Sequence, residues 1–117
     1  MKEIGIIAFT QRGMALAEQV RACLPEGCRG EVCSDKSEAR NWLTANFQKK
    51  DTFLFICAAG IAVRYIAPLI RSKDVDPAVV VKDEFGRYAV PIPVSYTHLM
   101  RWFLRPDDFD GLTILMV

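Results

Sequence analysis

The chain has 117 residues, which is enough for one domain with a single core and too few for two. Apolar residues make up 51% and charged residues 25% of the sequence, as in ordinary globular domains. A net charge of +1 at pH 7 gives no electrostatic attraction to nucleic acid or to a membrane surface, so neither is expected as a partner.

The first half of the chain predicts two strand–helix units. Residues 4–9 form a short apolar run that suits a buried strand, and Thr10 is placed to cap the helix that follows. The apolar stripe of that helix lies in residues 14–24, before a turn rich in proline and glycine. Residues 31–33 predict at most a short edge strand, and residues 38–47 predict a second helix.

The second half begins with the strongest pattern in the chain. An apolar run at residues 53–57 predicts a buried strand, and a helical pattern begins directly after the small residues around Gly60. A second apolar run at residues 78–81 and a turn at residues 84–87 predict a further strand and a hairpin. The alternation predicts an α/β domain: one open, mainly parallel sheet with helices on both faces and a C-terminal antiparallel hairpin.

Two turns that follow buried strands form the predicted binding edge. In open α/β sheets ligands bind beyond the carboxyl ends of the strands, where the first amides of each helix lack partners and favour an anion. Thr10 follows the first strand, and Ala59, Gly60 and Ile61 follow the central strand. Arg64, one turn into the helix, is placed to reach the same anion. Gly60 is expected to be needed for close backbone approach or for packing.

Cysteine usage predicts neither a metal site nor a redox site. No pair of cysteines has the two-residue gap typical of such sites, and Cys57 is interpreted as a small, buried hydrophobe of the central strand. The three earlier cysteines are expected to be reduced thiols at or near the surface: Cys23, Cys28 and Cys33. Apolar stretches too short for a bilayer, and a start unlike an export signal, favour the cytoplasm.

The hairpin turn is rich in charge. Asp83 and Glu84 form a pair of carboxylates, but acids in a turn are expected to face solvent, as is the guanidinium of Arg87. Three aromatic side chains are placed to border a flat ligand, although core or hairpin packing is the preferred interpretation: Tyr65, Phe85 and Tyr88.

Four segments of the second half carry a family resemblance. Residues 58–64 are Ala-Ala-Gly-Ile-Ala-Val-Arg, residues 66–69 are Ile-Ala-Pro-Leu, residues 76–81 are Asp-Pro-Ala-Val-Val-Val, and residues 83–87 are Asp-Glu-Phe-Gly-Arg. In this succession, without a gap, the chain resembles the N-terminal region of the cobalt-precorrin-5A hydrolases, the CbiG family of anaerobic cobalamin (vitamin B12) biosynthesis.

The resemblance implies a hydrolase that opens a lactone on a cobalt-corrinoid and releases acetaldehyde. It implies that carboxylate arms of the corrinoid are held at Thr10, Ala59, Gly60, Ile61 and Arg64. Cobalt enters as part of the substrate, so no separate cofactor is expected. Lactone opening needs an activated water and a proton donor. The sequence offers no convincing pair for this task, so the catalytic residues stay unassigned, and further downstream domains of the same enzyme are expected partners.

The resemblance does not reach the end of the chain. Where the family has Leu-Ser-Gly-His followed by Gly-Gly-Ala-Asn, only Ser95 and His98 are similar, and their spacing differs. Residues 94–99 also resemble a translated sequencing adapter. We therefore expect a domain of this family at residues 1–92 and a foreign tail at residues 93–117, with a divergent native tail as the alternative.

The sequence therefore leads to one hypothesis and two alternatives. The hypothesis is the N-terminal, substrate-binding portion of a cobalt-precorrin-5A hydrolase, inactive by itself. One alternative is a flavodoxin-type anion- or nucleotide-binding module, although residues 10–13 are poor in the glycine, serine and threonine of a phosphate loop. The other is a non-catalytic structural or dimerisation domain, in which Arg64 would pair with a protein carboxylate.

Overall fold

Five strands form one sheet in the computed structural model, which describes residues 2–72, 75–85, 87 and 89–92. The strands are β1 (Lys2–Ala8), β2 (Cys28–Val32), β3 (Thr52–Ile56), β4 (Ala78–Lys82) and β5 (Ala89–Ile92). The helices are α1 (Gln11–Ala22), α2 (Ala39–Asn46) and α3 (Ala59–Ile66), and 3₁₀ turns lie at Lys36–Glu38 and Ala67–Leu69. Residues 93–117 lie outside the described residues, so the predicted boundary at residue 92 stays a prediction.

The strand order across the sheet is β2-β1-β3-β4-β5. The pairs β1–β2, β1–β3 and β3–β4 are parallel, whereas β5 is antiparallel to β4. The predicted fold class is thereby confirmed, including the C-terminal hairpin. None of the helices in the described part of the chain has the length and apolar character needed to cross a bilayer.

The core is divided between the two faces of the sheet. Because side chains alternate along a strand, Ile6 and Leu54 pack on the face covered by α1, and Ile7 and Phe53 pack on the face covered by α2 and α3. Every residue of β3 and β4 is buried. These two strands therefore read as continuous apolar runs, as expected for strands covered on both faces.

The start of α1 agrees with the sequence prediction. Thr10 has extended backbone angles, and its Oγ1 accepts a hydrogen bond from the Gly13 amide at 2.9 Å. Such a cap stabilises a helix by ~1 kcal/mol. A Cβ at Gly13 would lie 3.0 Å from Thr10 Oγ1 and 3.3 Å from the Cβ of Ala8. Glycine at this position therefore lets the helix begin close against the end of β1.

The strand β2 is longer than predicted. It begins at Cys28, and its residues alternate between half-buried and exposed, with Arg29 and Glu31 exposed. An edge strand of this kind has no apolar run, so periodicity marked only its last residues. The parallel register of Lys2 with Cys28 shows that β2 pairs along most of β1.

Two predictions about cysteines need correction. Cys57 follows β3 rather than ending it and is half-buried, and Cys33, expected near the surface, is 4% exposed. Cys33 lies beyond the end of β2, where it packs with the cluster that α2 covers. All four cysteines are free thiols.

Charged side chains form a network near the amino end of the sheet. Lys50 Nζ lies 3.0 Å from Glu31 Oε1 and 3.8 Å from Glu3 Oε2, and Arg29 pairs with Glu3. The indole of Trp42 also donates to Glu31, at 2.8 Å. The hydrogen bond from Lys50, and then that from Trp42, lowers the pKa of Glu31, and Arg29 lowers the pKa of Glu3.

This network should make stability fall in acid. A carboxyl whose pKa is lowered by folding contributes stability above its unfolded value, here 4.5, and loses it as pH falls through the folded value. We expect the Lys50–Glu31 pair to contribute roughly 0.2–1 kcal/mol. Urea unfolding measured between about pH 7 and about pH 3 checks this, since Glu31→Gln should reduce the acid-induced loss. If Glu31→Gln loses as much unfolding free energy in acid as the wild type, groups other than Glu31 cause the acid sensitivity.

Candidate functional site

A cavity of about 370 Å³ lies at the carboxyl ends of β1 and β3. The chain leaves β1 toward β2 on one side and returns to β3 on the other, so the direction of the strand order reverses here. Ligands of open α/β sheets bind at such a reversal. The cavity is lined by Phe9, Thr10, Ile56, Cys57, Ala58, Ala59, Ile61, Val81, Asp83, Glu84, Phe85, Arg87 and Val90.

Three of the five predicted site residues line this cavity. Thr10 comes from the loop after β1, and Ala59 and Ile61 come from the first turn of α3. Gly60 and Arg64 belong to the same helix but do not line the cavity. The structure therefore brings the two predicted turns together at one place.

The amino end of α3 presents fewer amides than predicted. Ala58 precedes the helix with extended backbone angles and provides no side-chain cap. The Ile61 amide already donates to the Ala58 carbonyl at 3.0 Å, so it is not a vacant donor. The amides of Ala59 and Gly60 lie before this first bond of the helix and point to the helix start.

Gly60 is not needed for packing. A Cβ built at this position meets no atom within 4 Å, and the backbone angles are those of an ordinary helical residue. The part of the prediction that concerned packing is therefore wrong. Close backbone approach at Gly60 stays a prediction.

Arg64 lies exposed on the second turn of α3. Within the described residues no ion pair or hydrogen bond joins its guanidinium to a protein carboxylate. The pairing expected of a purely structural domain is thus not seen in that part of the chain.

The β4–β5 turn was expected to face solvent, and its two acids do not. Glu84 Oε2 accepts a hydrogen bond from the Thr10 hydroxyl at 2.6 Å. Asp83 accepts from the Arg87 amide at 2.7 Å and from Arg87 Nε at 3.1 Å. Both acids are half-buried in the wall of the cavity. The prediction failed because the antiparallel return of β5 folds this turn back over the loop that follows β1.

Aromatic residues divide between packing and exposure. Tyr65 packs against Phe9 with ring centroids 5.2 Å apart, which confirms the packing interpretation for this residue. Phe85 is instead 55% exposed at the rim of the cavity. The guanidinium carbons of Arg12 and Arg87 lie 4.6 and 5.0 Å from its ring centroid. Tyr88, Ser95 and His98 lie outside the described residues.

Two further groups near this edge are buried or half-buried. Burial raises the pKa of the Cys57 thiol to about 11, so this thiol is neutral near pH 7 and forms part of the wall rather than a nucleophile. Lys82, the last residue of β4, is 1% exposed, and burial lowers its pKa. Among the described side chains, no group of three or more potential ligands is placed to hold a metal ion.

The walls of the cavity combine apolar and charged surfaces. Ile61, Phe85 and Val90 expose apolar area at its rim, and Asp83 and Glu84 place carboxylates inside. The first turn of α3 and the guanidinium of Arg87 belong to the same lining. A largely apolar ligand that carries anionic groups at its periphery fits this arrangement, because its anions can avoid the acidic wall.

Sequence reasoning located the two strand ends, but it did not place the hairpin turn over the first of them and did not single out Arg12. The hairpin was predicted, yet its position over the first turn depends on the strand order, which periodicity does not reveal. Arg12 is the second residue of α1, and the sequence pattern does not distinguish it from the other exposed residues of that helix. The one available signal was its place directly after the cap that begins the helix.

Comparisons with known proteins agree on one family. Residues 41–98 match the family described as Cobalamin synthesis G N-terminal. The cobalt-precorrin-5A hydrolase of Salmonella typhimurium is 36% identical over 99 residues, covering 78% of this chain and 28% of the relative. The crystal structure of a cobalamin biosynthesis protein G homolog from Sulfolobus solfataricus superposes with a TM-score of 0.62 at 21% identity, covering 80% of this chain and 29% of that one. The chain thus spans less than a third of the length of either relative.

Proposed function

We propose that this chain, which belongs to the family described as Cobalamin synthesis G N-terminal, is the substrate-binding portion of a cobalt-precorrin-5A hydrolase. In this proposal the strand-end cavity holds one edge of a cobalt-corrinoid, and the carboxylate arms of the ring lie at its rim, away from Asp83 and Glu84. The amides of Ala59 and Gly60, with Arg64 beyond them, bind one arm, and Thr10 and Ile61 line the approach.

One observation carries the proposal: loops distant in sequence meet in a cavity where the strand order reverses. A volume of about 370 Å³ is at the small end of the range for ligand sites. It accommodates part of a tetrapyrrole and not the whole ring. The remainder of the substrate would contact the downstream domains of the enzyme, which are the proposed protein partners.

The proposed reaction of the complete enzyme is opening of a corrinoid lactone with release of acetaldehyde. Water must be activated and the leaving oxygen must be protonated. We assign these steps to the complete enzyme, and we propose that this portion positions the substrate. Cobalt belongs to the substrate, so the proposal includes no resident metal, and the proposed compartment is the cytoplasm.

The strand order favours one alternative, a flavodoxin-type nucleotide-binding module. Flavodoxin-like sheets have the order 2-1-3-4-5 and bind a phosphate-bearing cofactor between the first and third strands. Here, however, the hydroxyl of Thr10 is bonded to the carboxylate of Glu84, which faces the position of such a phosphate. Repulsion between the phosphate of a nucleotide and the carboxylate of Glu84 disfavours this alternative.

Binding of dicyanocobyrinic acid, a corrinoid whose arms end in carboxylates, tests the proposal. Isothermal titration calorimetry with the 117-residue chain should detect saturable binding, and flavin mononucleotide should not compete. Absence of corrinoid binding together with binding of flavin mononucleotide would replace the proposal by its alternative.

Substitution of Gly60 tests where the ligand lies. Because a Cβ at this position meets open space, Gly60→Ala should preserve the fold and raise the free energy of unfolding by about 0.4–1 kcal/mol. Gly60→Val should weaken corrinoid binding about tenfold or more by blocking the approach to the amides. Ala15→Val, at an exposed position of α1, is the matched control. Unchanged affinity in Gly60→Val would remove the amides of α3 from the proposed site.

A further inference from the structure

At the rim of the cavity the exposed ring of Phe85 contacts two guanidiniums: that of Arg87, which lines the cavity, and that of Arg12, which lies beside the lining. Phe85, at the tip of the β4–β5 turn, is 55% exposed. Arg12, from α1, lies 4.6 Å from its ring centroid, and Arg87, from the hairpin, lies 5.0 Å from it. The attraction between a guanidinium and a ring face orients the cation without using its N–H donors.

The two arginines differ in what else they bind. Arg87 donates from Nε to Asp83 and forms an ion pair with that carboxylate at 3.1 Å. Arg12 has no carboxylate within ion-pair distance among the described residues, so its N–H donors are oriented by the ring. A ligand anion at this rim would therefore meet Arg12 as the available cation.

The acids inside the cavity restrict where that anion can lie. Glu84 is tied to Thr10 on one wall, and Asp83 is tied to Arg87 on the same wall. Both carboxylates repel a ligand anion that lies against them, whereas the exposed apolar surfaces of Ile61 and Val90 accept an uncharged body. The anionic groups of a bound molecule are thereby kept at the rim, beside Phe85.

From these contacts we infer that Arg12 binds a carboxylate of the ligand while Phe85 contacts the flat, apolar part of the same molecule. The ligand class is a planar, mainly apolar ring system with peripheral carboxylates. This inference rests on the proposed function and adds to it the side chain that selects carboxylate arms over amide arms. Arg12 is a second anchor, separate from the amides of Ala59 and Gly60.

Two corrinoids and two arginine variants test the inference. Dicyanocobyrinic acid carries carboxylate arms, and dicyanocobinamide carries amide arms on the same ring. Arg12→Met should raise the Kd of the acid about tenfold or more, as expected for loss of a charge-assisted contact, and leave that of the amide within about twofold. Arg40→Met is the matched control, because it removes an exposed guanidinium that lies 4.4 Å from the ring of Tyr65, and neither residue lines the cavity. Its effect on the Kd of the acid should be clearly smaller.

The outcomes separate this inference from the proposed function. If the wild-type chain binds the acid and Arg12→Met binds it equally well, the role of Arg12 is refuted and the proposed function stands. If Arg12→Met weakens both corrinoids alike, the contact is not with a carboxylate and the inference is again overturned. Failure of the wild-type chain to bind either corrinoid would overturn the proposed function and the inference together. Unfolding midpoints of all variants should match the wild type, which excludes a folding defect as the cause.

Discussion

Replacement of Phe53 by alanine should lower the free energy of unfolding by about 3–5 kcal/mol, the largest loss expected for a single change in this chain. Phe53 is fully buried in the middle of β3. Its ring stacks on Phe47 with centroids 5.7 Å apart and meets Trp42 edge-on at 5.9 Å. The substitution therefore removes apolar burial and leaves a cavity between the sheet and α2. Urea denaturation followed by circular dichroism measures the loss.

Gly5 provides an internal check on the same contact. A Cβ at Gly5 would lie 2.5 Å from one ring carbon of Phe53 and 3.1 Å from Trp42, so Gly5→Ala should cost about 1–3 kcal/mol through overpacking. In the Phe53→Ala background that cost should vanish, because the clashing ring is absent. Additive losses in the double variant would show that the two residues do not compete for space.

The second large effect is expected at Asp76. This carboxylate is 6% exposed and accepts hydrogen bonds from the Arg71 amide at 2.8 Å and from Gln48 Nε2 at 2.9 Å. Asp76→Ala should leave both donors without this acceptor and cost about 1.5–3 kcal/mol of unfolding free energy. Thermal or urea unfolding provides the measurement.

Two variants calibrate this result. Asp76→Asn should cost less, because one acceptor oxygen is retained, and Glu26→Ala, at an exposed turn, should change stability by no more than about 0.5 kcal/mol. A loss in Asp76→Ala no greater than in Glu26→Ala would mean that Asp76 does not anchor the segment leading into β4.

The reliability of the sequence predictions followed the strength of the local signal. β3 and β4 were evident because each contains an uninterrupted apolar run, as is typical of strands covered on both faces, and Thr10 was evident because capping is a local interaction. Asp76 shows what local sequence signals do not predict. Its sequence neighbourhood is that of a charged linker, and one of its partners, the side chain of Gln48, is distant in sequence.

The predictions for the site also divide between local sequence signals and contacts that depend on distant residues. The rule that ligands bind at the ends of parallel strands predicts a common site for Thr10, Ala59 and Ile61, and all three line the cavity. Glu84 and Phe85 could not be assigned in this way. Whether an acidic turn faces water or a cavity depends on which loop lies opposite, and that is set by the strand order.

The two outer strands of the described sheet have a consequence for association between molecules. Main-chain donors and acceptors along an outer strand can pair with a strand of another chain and start aggregation. On β2 the exposed side chains are Arg29 and Glu31, and a second chain would have to desolvate both charges in order to pair. On β5 Pro91 has no amide hydrogen and cannot donate to a neighbouring strand. Both margins of the sheet therefore oppose growth from one molecule to the next.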